Sequence, residues 1–434
     1  MATALSRIDR PKQLAETQCR VAIVGFGTVG SAVARLLHVQ RDDHSLRLTH
    51  VCNRNFARKK VSWIGSDICW TESIQQVLAS DVDVVVELMG GMEPAHELVR
   101  SALQRGKSVV TANKQLIAHF GPELLELARE NHQYLGVGAC VAGGVPVLSG
   151  LHDGLAGDRI GQIRGILNGT CNYILTRIEQ AGVSFEDALL EAQQAGFAEA
   201  DPTDDIDGQD AAAKLAILAR VGLKIDVSPQ HVVCRSIRKI KALDFEYARD
   251  LGCTVRQIST ARLKDGRAYL AVEPSLVLNE SPLAKVVGSQ NLVVSTGEFG
   301  GETTFGGHGA GGDPTAVAVV SDLLQAARGR SRGIELPDRN AAVSCEFTTD
   351  LEAAHYLRFV VRDRPGIIAA LGGVLAGCHI NLDAVLQRPG HTKSALPFVI
   401  TLEPCRQKQL EAALTKIAEF DFLAEAPVTM PILK

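Results

Sequence analysis

A strand, a glycine turn and a helix near the start of the chain constrain its fold most. The apolar run Val21 to Val24 leads into the GFGTVG turn at 25–30, and apolar residues at helical spacing follow. In such a turn the first glycine allows the tight bend, the second leaves room for a pyrophosphate, and the third lets helix and strand pack closely. This context favours dinucleotide binding over an ordinary strand-to-helix turn. The predicted contact residues are Gly25, Phe26, Gly27, Thr28, Val29 and Gly30.

The residues after the second strand indicate which dinucleotide is bound. Strand Leu46 to Val51 leads to Arg54, whereas an NAD site usually places Asp or Glu there to hold the ribose 2′-hydroxyl. Arg54 and the basic residues at 58–60 suit a 2′-phosphate instead. NADP is therefore the expected cofactor, with NAD as the alternative, although a solvated basic face would explain the same residues.

Strands and helices alternate up to about residue 145. Buried-strand patterns at 83–88, 108–112 and 134–141 predict a Rossmann-type doubly wound sheet. Lys114 follows the end of the second of these strands, where open α/β sheets bind their ligands. Lys114 is therefore expected close to a nicotinamide; a surface lysine at a helix start is the other interpretation.

One predicted helix carries a charged pair on its apolar side. The stretch 195–222 begins as an acidic loop and continues as a helix, with Asp207 expected as its N-cap. At 100° per residue, Asp210 and Lys214 fall within the apolar stripe, where a buried charge is costly unless it is paired. We interpret them as an active-site pair, and the alternative is an ordinary surface pair four residues apart.

The second half of the chain differs in pattern from the first. The strand-rich sequence from 231 to 305 predicts an α+β catalytic domain. The glycine loop at 306–312 has two interpretations: it contacts a phosphate or the nicotinamide, or it is a hinge. The order βαββαβ after residue 355 predicts a ferredoxin-like sandwich. The predicted divisions are an extension at 1–18, a dinucleotide-binding domain at 19–145 joined by a helix at 314–328, a catalytic, substrate-binding and dimerisation domain at 146–313, a linker at 329–350 and a regulatory domain at 351–434.

Composition excludes several classes of function. The net charge of −4 and the lack of a basic run argue against nucleic-acid binding. No apolar run is long enough to span a bilayer, and residues 1–18 do not form a signal peptide, so no membrane partner is expected. The ten cysteines are scattered without a CxxC pair, which is typical of reduced thiols and predicts a cytoplasmic protein.

Three motifs together resemble homoserine dehydrogenase. They are VTANK at 110–114, NGTCNYI at 168–174 and GFAEADPTDDIDGQDAAAK at 196–214, and the resemblance covers nearly all of the chain after residue 19. The C-terminal pattern resembles an ACT domain, a small-molecule regulatory module. The resemblance implies NAD(P)-dependent interconversion of L-homoserine and L-aspartate 4-semialdehyde in threonine, methionine and isoleucine biosynthesis.

The same resemblance implies roles for individual residues. Lys214 would exchange the proton at the substrate oxygen, with Lys114 as the rival, and Asp210 would hold Lys214 and the substrate. Glu199 would bind the substrate ammonium. A lysine ammonium beside the substrate oxygen would also stabilise the negative charge that develops on that oxygen. Further implied contacts are Asn168, Thr170 and Lys114 for the substrate, and Lys114, Gly196 and Gly311 for the cofactor.

Family members often carry a Glu before the AGGxP turn, where it helps to bind a monovalent cation. This chain has Gly138 at that position, so the resemblance implies a sodium site made only of the backbone carbonyls of Val141, Gly143 and Val145.

The ACT resemblance implies an amino-acid effector, for which L-threonine is expected. The loop Asp363-Arg364-Pro365-Gly366 would present backbone amides at a helix start, and Asn381 would lie on the neighbouring strand. ACT domains usually bind ligand between paired copies, so a homodimer or homotetramer is expected. A domain that serves only oligomerisation is the alternative.

Two other functions fit the same sequence. One is a dehydrogenase acting on another amino-acid-derived semialdehyde. The other is a sensor without enzymatic activity that reads redox state and an amino acid, which leaves the Asp210–Lys214 pair without a purpose.

Overall fold

The computed structural model describes residues 18–40, 45–329, 333–334 and 342–433. Residues 1–17 of the predicted extension, and 330–332 and 335–341 of the predicted linker, lie outside this range.

The first part of the chain forms a six-stranded parallel sheet. Its elements are β1 (Cys19–Val24), α1 (Thr28–Val39), β2 (Leu46–Cys52), β3 (Cys69–Thr71), α2 (Ile74–Ala79), β4 (Val84–Glu87), α3 (Ala95–Gln104), β5 (Ser108–Thr111), α4 (Lys114–Glu130) and β6 (Leu135–Gly136). The strand order β3-β2-β1-β4-β5-β6 is that of a doubly wound dinucleotide-binding fold, which confirms the predicted fold class.

The strand predicted at 134–141 is shorter than expected. Only Leu135 and Gly136 pair with β5, and a 3₁₀ turn follows at Gly138–Cys140. The reason is that the backbone N–H of Gly138 donates to the carboxylate of Asp322 (2.9 Å).

The remaining strands form one long, mostly antiparallel sheet. The elements up to residue 347 are α5 (Val147–Ser149), β7 (Ile160–Ile166), α6 (Gly169–Ala181), α7 (Phe185–Gln194), α8 (Thr203–Ile206), α9 (Gln209–Leu223), β8 (Val233–Cys234), α10 (Ala242–Asp250), β9 (Cys253–Lys264), β10 (Arg267–Leu278), β11 (Gln290–Gly297), β12 (Gly301–His308), α11 (Gly312–Ala327) and β13 (Glu346–Phe347). Within the region predicted to be strand-rich, β10 pairs along its whole length with β9.

Helix α9 lies against this sheet and is buried on nearly all sides, because small alanines lie opposite its apolar stripe and let neighbouring elements pack there. At Gly222 an added methyl group would lie 2.6 Å from Ile163 of β7, so helix and sheet are in close contact. The N-cap expected at Asp207 is wrong. The cap is Gly208, because the backbone there is left-handed (φ 87°), and Asp207 ends the short helix α8.

The last part of the chain is the predicted ferredoxin-like module. Its elements are β14 (Glu352–Val361), α12 (Ile367–Gly377), β15 (Leu382–Leu386), β16 (Leu396–Arg406), α13 (Gln407–Ile417) and β17 (Leu423–Leu433). Its sheet order is β17-β14-β16-β15, and β17 also pairs in parallel with β10. This module, which occupies the position of the predicted regulatory domain and is called the regulatory module below, therefore extends the sheet of the central region.

Candidate active site

The site forms where α4, a helix packed against the first sheet, contacts α9, a helix packed against the second. The guanidinium of Arg220, on α9, donates to the carbonyl of Ile117, on α4 (3.0 Å). Arg220 is buried, and burial lowers its pKa to about 10. This contact fixes the two helices side by side, so that the residue beginning α4, Lys114, lies beside the first turn of α9.

Asp210 is the centre of the site, and it contacts both lysines. Its Oδ2 accepts from Lys214 Nζ (2.7 Å) and its Oδ1 accepts from Lys114 Nζ (2.9 Å). Lys214 also donates to the carbonyl of Leu167 (2.9 Å). Lys214 is the more buried lysine, with 15% of its side chain exposed against 38% for Lys114. The predicted pair is therefore a triad of one carboxylate and two ammonium groups.

The electrostatics keep Asp210 and Lys114 charged. Burial alone would raise the pKa of Asp210, but the ammonium groups of Lys214 and Lys114 outweigh it and hold that pKa far below the usual value. Burial opposes the charge of Lys114, yet Asp210 raises the pKa of Lys114 above its usual value. At neutral pH the site therefore presents a Lys114 ammonium beside an ionised carboxylate.

Asn168 joins the triad to the acidic loop. Its side-chain oxygen caps α6 by accepting from Cys171 N (2.8 Å). Its Nδ2 donates to Asp210 Oδ2 (2.9 Å) and to Asp205 Oδ1 (2.6 Å). Burial raises the pKa of Asp205. Asp205 was not singled out from the sequence as a site residue, because only the fold of the loop brings it to Asn168.

The two other substrate residues lie differently from Asn168. Thr170 is buried on α6 and donates to the carbonyl of Phe197 (2.7 Å), so its hydroxyl holds the acidic loop. Glu199 has an exposed side chain, and its carbonyl accepts from Gln193 (3.1 Å). The structure does not bring Glu199 into the network around Asp210.

The glycine turn has the close contacts expected of a dinucleotide site. Gly25 is left-handed (φ 103°), and a methyl group there would lie 2.5 Å from the carbonyl of Leu88. At Gly30 a methyl group would lie 2.0 Å from the carbonyl of Gly25. Apart from its two chain neighbours, no atom of the described residues lies within 4 Å of the equivalent point at Gly27, which leaves open space over the N-terminus of α1. The residues therefore fit a pyrophosphate at this helix end.

The neighbouring residues of the turn frame the same space. Phe26 N donates to Asn53 Oδ1 (3.0 Å), and the Phe26 ring contacts Trp70 edge-on. Thr28 and Val29 begin α1. Arg54 is exposed just after β2, as are the basic residues at 58–60, so their side chains are free to meet a phosphate beyond this strand end.

The second glycine turn lies next to the first. Gly311 is left-handed (φ 117°) and is the N-cap of α11. A methyl group at Gly312 would lie 3.2 Å from the Thr28 carbonyl, and Arg35 of α1 forms an ion pair with Asp313. Gly306 and Gly307 belong to β12. Gly196, also left-handed (φ 76°), is exposed on the acidic loop.

A buried carboxylate at the end of β4 escaped the sequence interpretation. Glu87 is fully buried and accepts from Met89 N (2.8 Å), Gly90 N (3.3 Å) and the Thr111 hydroxyl (2.6 Å). Burial raises its pKa. Glu87 shapes the loop that follows β4 beside the glycine turn. In the sequence, the signal that could have identified Glu87 is an acidic residue at the end of an apolar strand.

The expected cation site lies around the turn after β6. Ala142 and Gly143 are both left-handed, and the Val145 carbonyl accepts from Val147 N (2.7 Å), while Val141 is extended and buried. Asp322 of α11 fills the space beside Gly138, where an added methyl group would lie 3.1 Å from its Oδ2. Burial raises the pKa of Asp322 to about 6.

The effector residues lie at two ends of the regulatory module. Asp363 and Gly366 follow the end of β14, which pairs at Val361 with Leu396 of β16. Asn381 precedes β15, which begins opposite Leu402 of the same strand. The two positions are separated by about 20 Å of strand within one chain. Asn381 donates to Glu403 (3.0 Å), so one chain does not bring it to the 363–366 loop.

The described residues include neither a cluster of metal-ligating side chains nor a membrane-spanning helix. No group of three or more His, Cys, Asp or Glu side chains there is arranged to hold a metal ion. No described helix combines the length and the apolar character needed to cross a membrane.

Three family models match successive parts of the chain. The model described as "Homoserine dehydrogenase, NAD binding domain" matches residues 25–137, "Homoserine dehydrogenase" matches 146–324, and "ACT domain" matches 355–422.

Individual relatives match over most of their length. Homoserine dehydrogenase of Synechocystis sp. is 36% identical, covering 95% of this chain and 99% of the relative. The crystal structure of a homoserine dehydrogenase from Thiobacillus denitrificans superposes with a TM-score of 0.89 at 32% identity, covering 96% of this chain and 98% of that one. A hyperthermophilic archaeal homoserine dehydrogenase in complex with NADPH superposes with a TM-score of 0.62 at 29% identity, covering 71% of this chain and 97% of that one.

Proposed function

This chain belongs to the homoserine dehydrogenase family, NAD(P)-dependent oxidoreductases that interconvert L-homoserine and L-aspartate 4-semialdehyde, and we propose that its reaction is run by the Asp210–Lys214–Lys114 triad. The observation that carries this proposal is the contact of one buried carboxylate with two lysines, at 2.7 Å and 2.9 Å, where the two halves of the enzyme meet. In this proposal, the domain predicted at 19–145 binds the cofactor and the domain predicted at 146–313 binds the substrate.

Lys214 is the proposed proton donor in aldehyde reduction. The bound cofactor supplies the hydride, and negative charge then develops on the substrate oxygen. Asp210 and the Leu167 carbonyl use two of the three N–H donors of Lys214, which leaves one for that oxygen. Lys114 begins α4 at the carboxyl end of β5, where we place the nicotinamide and the second positive charge.

NADP is the proposed cofactor in preference to NAD. The open space at Gly27 supports a pyrophosphate there, and the exposed Arg54 supports a 2′-phosphate. The NADPH complex of the archaeal relative agrees with this choice. Arg54→Ala should raise the KM for NADPH about tenfold and leave the KM for NADH nearly unchanged; equal effects on both would contradict the assignment.

The substrate is held at its amino-acid end in this proposal. Asn168 and Asp205 lie beside the triad and offer polar groups there. The exposed Glu199 is assigned to the substrate ammonium from the family resemblance, and it must approach when substrate binds. Glu199→Gln should raise the KM for homoserine with little change in cofactor affinity.

A sodium ion is proposed at the turn around Val141, Gly143 and Val145. The left-handed residues Ala142 and Gly143 turn this backbone sharply, and Asp322 offers a carboxylate beside Gly138 in place of the usual Glu. Carbonyl and carboxylate oxygens are the ligand types that suit a hard cation such as sodium.

Regulation by L-threonine and assembly into a homodimer or homotetramer are proposed together. Because Asp363, Gly366 and Asn381 lie at two ends of one module, a shared effector site needs a second copy to bring them together. Calorimetric titration with threonine, serine and methionine, combined with sedimentation analysis, tests both proposals. If none of the three amino acids binds, a purely structural module is favoured. A cytoplasmic location is proposed from ten cysteines that form no disulfide.

The deciding experiment is homoserine-dependent reduction of NADP⁺ and NAD⁺, with and without threonine. Turnover with homoserine and none with other amino-acid-derived alcohols is expected. Turnover only with a different substrate would identify a dehydrogenase of another semialdehyde, and cofactor binding without turnover would identify a sensor.

A further inference from the structure

A short segment between β8 and α10 touches both the regulatory module and the acidic loop of the active site. We call residues 235–241 the bridging segment. It leaves β8 and ends at Lys241, which is the N-cap of α10.

On the active-site side, the bridging segment holds the turn that follows Asp205. Ile237 N donates to the carbonyl of Ile206 (3.3 Å), and Arg238 Nε donates to Asp207 Oδ1 (3.2 Å). The side chains of Ile206 and Ile237 are fully buried in the same hydrophobic cluster. The backbone beside Asp205 is therefore fixed by this segment.

On the regulatory side, Arg358 of β14 holds the same segment. Its Nη2 donates to the carbonyl of Lys239 (2.8 Å), and its Nε donates to Asp244 Oδ1 (2.8 Å). Asp244 also accepts from Lys241 N (2.8 Å) and from the Tyr356 hydroxyl (2.8 Å). Arg358 and Asp244 are at most 2% exposed, and a buried pair gives little net stability, which favours a positioning role.

From the acidic turn the contacts reach the triad in one step. Asp205 Oδ1 accepts from the Asn168 amide (2.6 Å), and the same amide nitrogen donates to Asp210 Oδ2 (2.9 Å). A displacement of Asp205 therefore changes the orientation of the amide that holds Asp210.

We propose that Arg358 and Arg238 are positioning residues for the dehydrogenase reaction, through which the regulatory module sets the geometry of Asp205, Asn168 and Asp210. The proposal rests on the role proposed above for the triad. It makes the regulatory module a working part of the active site even without an effector.

Two substitutions interrupt the route at separate points. Arg238→Met removes the donor to Asp207 and keeps the aliphatic side chain. Arg358→Lys keeps a cation beside Asp244, but a single ammonium cannot reproduce the planar fork that binds both Asp244 and the Lys239 carbonyl. The matched control is Arg47→Met, which breaks an exposed ion pair with Asp67 (3.3 Å) at the start of β2, away from the cofactor turn. If Arg358→Lys does not fold, Tyr356→Phe replaces it.

The full-length single variants and the double variant are compared in kcat, in the KM for L-aspartate 4-semialdehyde, in the Kd for NADPH and in melting temperature. We expect each single variant to lower kcat three- to tenfold, the Kd for NADPH to stay within twofold, and the control to match the wild type. The double variant should lose no more than the worse single variant, because both act on one route.

Three outcomes would overturn the proposal: kcat unchanged in both variants, losses that multiply in the double variant, or a lower melting temperature alone. Wild-type protein without turnover on homoserine would instead refute the proposed function, so the two failures are distinguishable.

Discussion

At the scale of single residues, the buried carboxylate of Asp210 decides what the site can do. Two lysines lie within hydrogen-bonding distance of it, so both are candidates for the acid/base role. Lys214 is the more enclosed, and its ammonium has two fixed acceptors, which give it a defined orientation. Lys114 is the more exposed of the two.

Replacing each lysine by Met separates these roles. Lys214→Met should lower kcat by about 10²- to 10⁴-fold, the usual range for a lost proton donor, and leave the Kd for NADPH within twofold. Lys114→Met should weaken cofactor binding as well. Steady-state kinetics and fluorescence titration measure both. If Lys214→Met retains kcat within tenfold, Lys114 is the proton donor.

Asp322 should make stability depend on pH. Burial raises its pKa to about 6, above the value of about 3.9 in an unfolded chain. The folded state then binds the proton of Asp322 more tightly than the unfolded chain does. The resulting contribution to the free energy of unfolding is fully present below about pH 4 and is lost as the pH rises through 6. The shift corresponds to about 3 kcal/mol.

Urea unfolding of the wild type and of Asp322→Asn at pH 4, 5.5 and 7 measures this loss. The free energy of unfolding of the wild type should fall relative to the variant across that range. Parallel pH profiles would show that Asp322 does not titrate there. Sodium should recover part of the loss at pH 7 if the proposed cation site exists, and choline is the control.

At the scale of elements, the N-terminus of α1 shows how one motif uses its glycines differently. Gly25 and Gly30 are required by the protein itself, because a methyl group at either would strike the backbone. Among the described residues, Gly27 has no such neighbour and faces open space. The pyrophosphate proposed above would account for the lack of a side chain at Gly27.

Two alanine substitutions test this difference. Gly27→Ala should leave the melting temperature within about 2 °C and raise the Kd for NADPH at least tenfold. Gly30→Ala should lower the melting temperature as well, because it forces α1 away from β1. Thermal unfolding measures the melting temperature, and cofactor titration measures the Kd for NADPH. An unchanged affinity of Gly27→Ala for NADPH would place the pyrophosphate elsewhere.

At the scale of the whole molecule, the regulatory module shares a sheet and a core with the catalytic region. β17 pairs with β10, and Met430, Val399 and Tyr356 pack in one cluster with residues of α6 and α10. These two regions should therefore unfold together.

Met430→Ala tests this continuity. Met430 is fully buried in the shared cluster, so its truncation should cost about 2–5 kcal/mol and lower the temperature at which catalytic activity is lost. Leu382→Ala, on the exposed edge strand β15, is the matched control and should have little effect. Loss of the module in a separate transition that leaves activity intact would contradict a shared core.

The sequence by itself determined the local structures whose patterns repeat along the chain. The glycine turn with α1, the alternation of the first sheet and the βαββαβ module were predictable, because hydrophobic periodicity and turn residues are local signals. The Asp210–Lys214 pair was predictable too, because four residues span one helical turn.

The tertiary structure alone decided what lies next to that pair. Lys114 and Asn168 are far from α9 along the chain and reach Asp210 through the packing of α4 and α6, while the fold of the acidic loop brings Asp205 to Asn168. The cap at Gly208, Asp322 beside Gly138 and the joining of β17 to β10 were equally hidden. Contacts between distant segments leave no periodic trace in a single sequence, so the partners of a buried charge are known only once the elements are assembled.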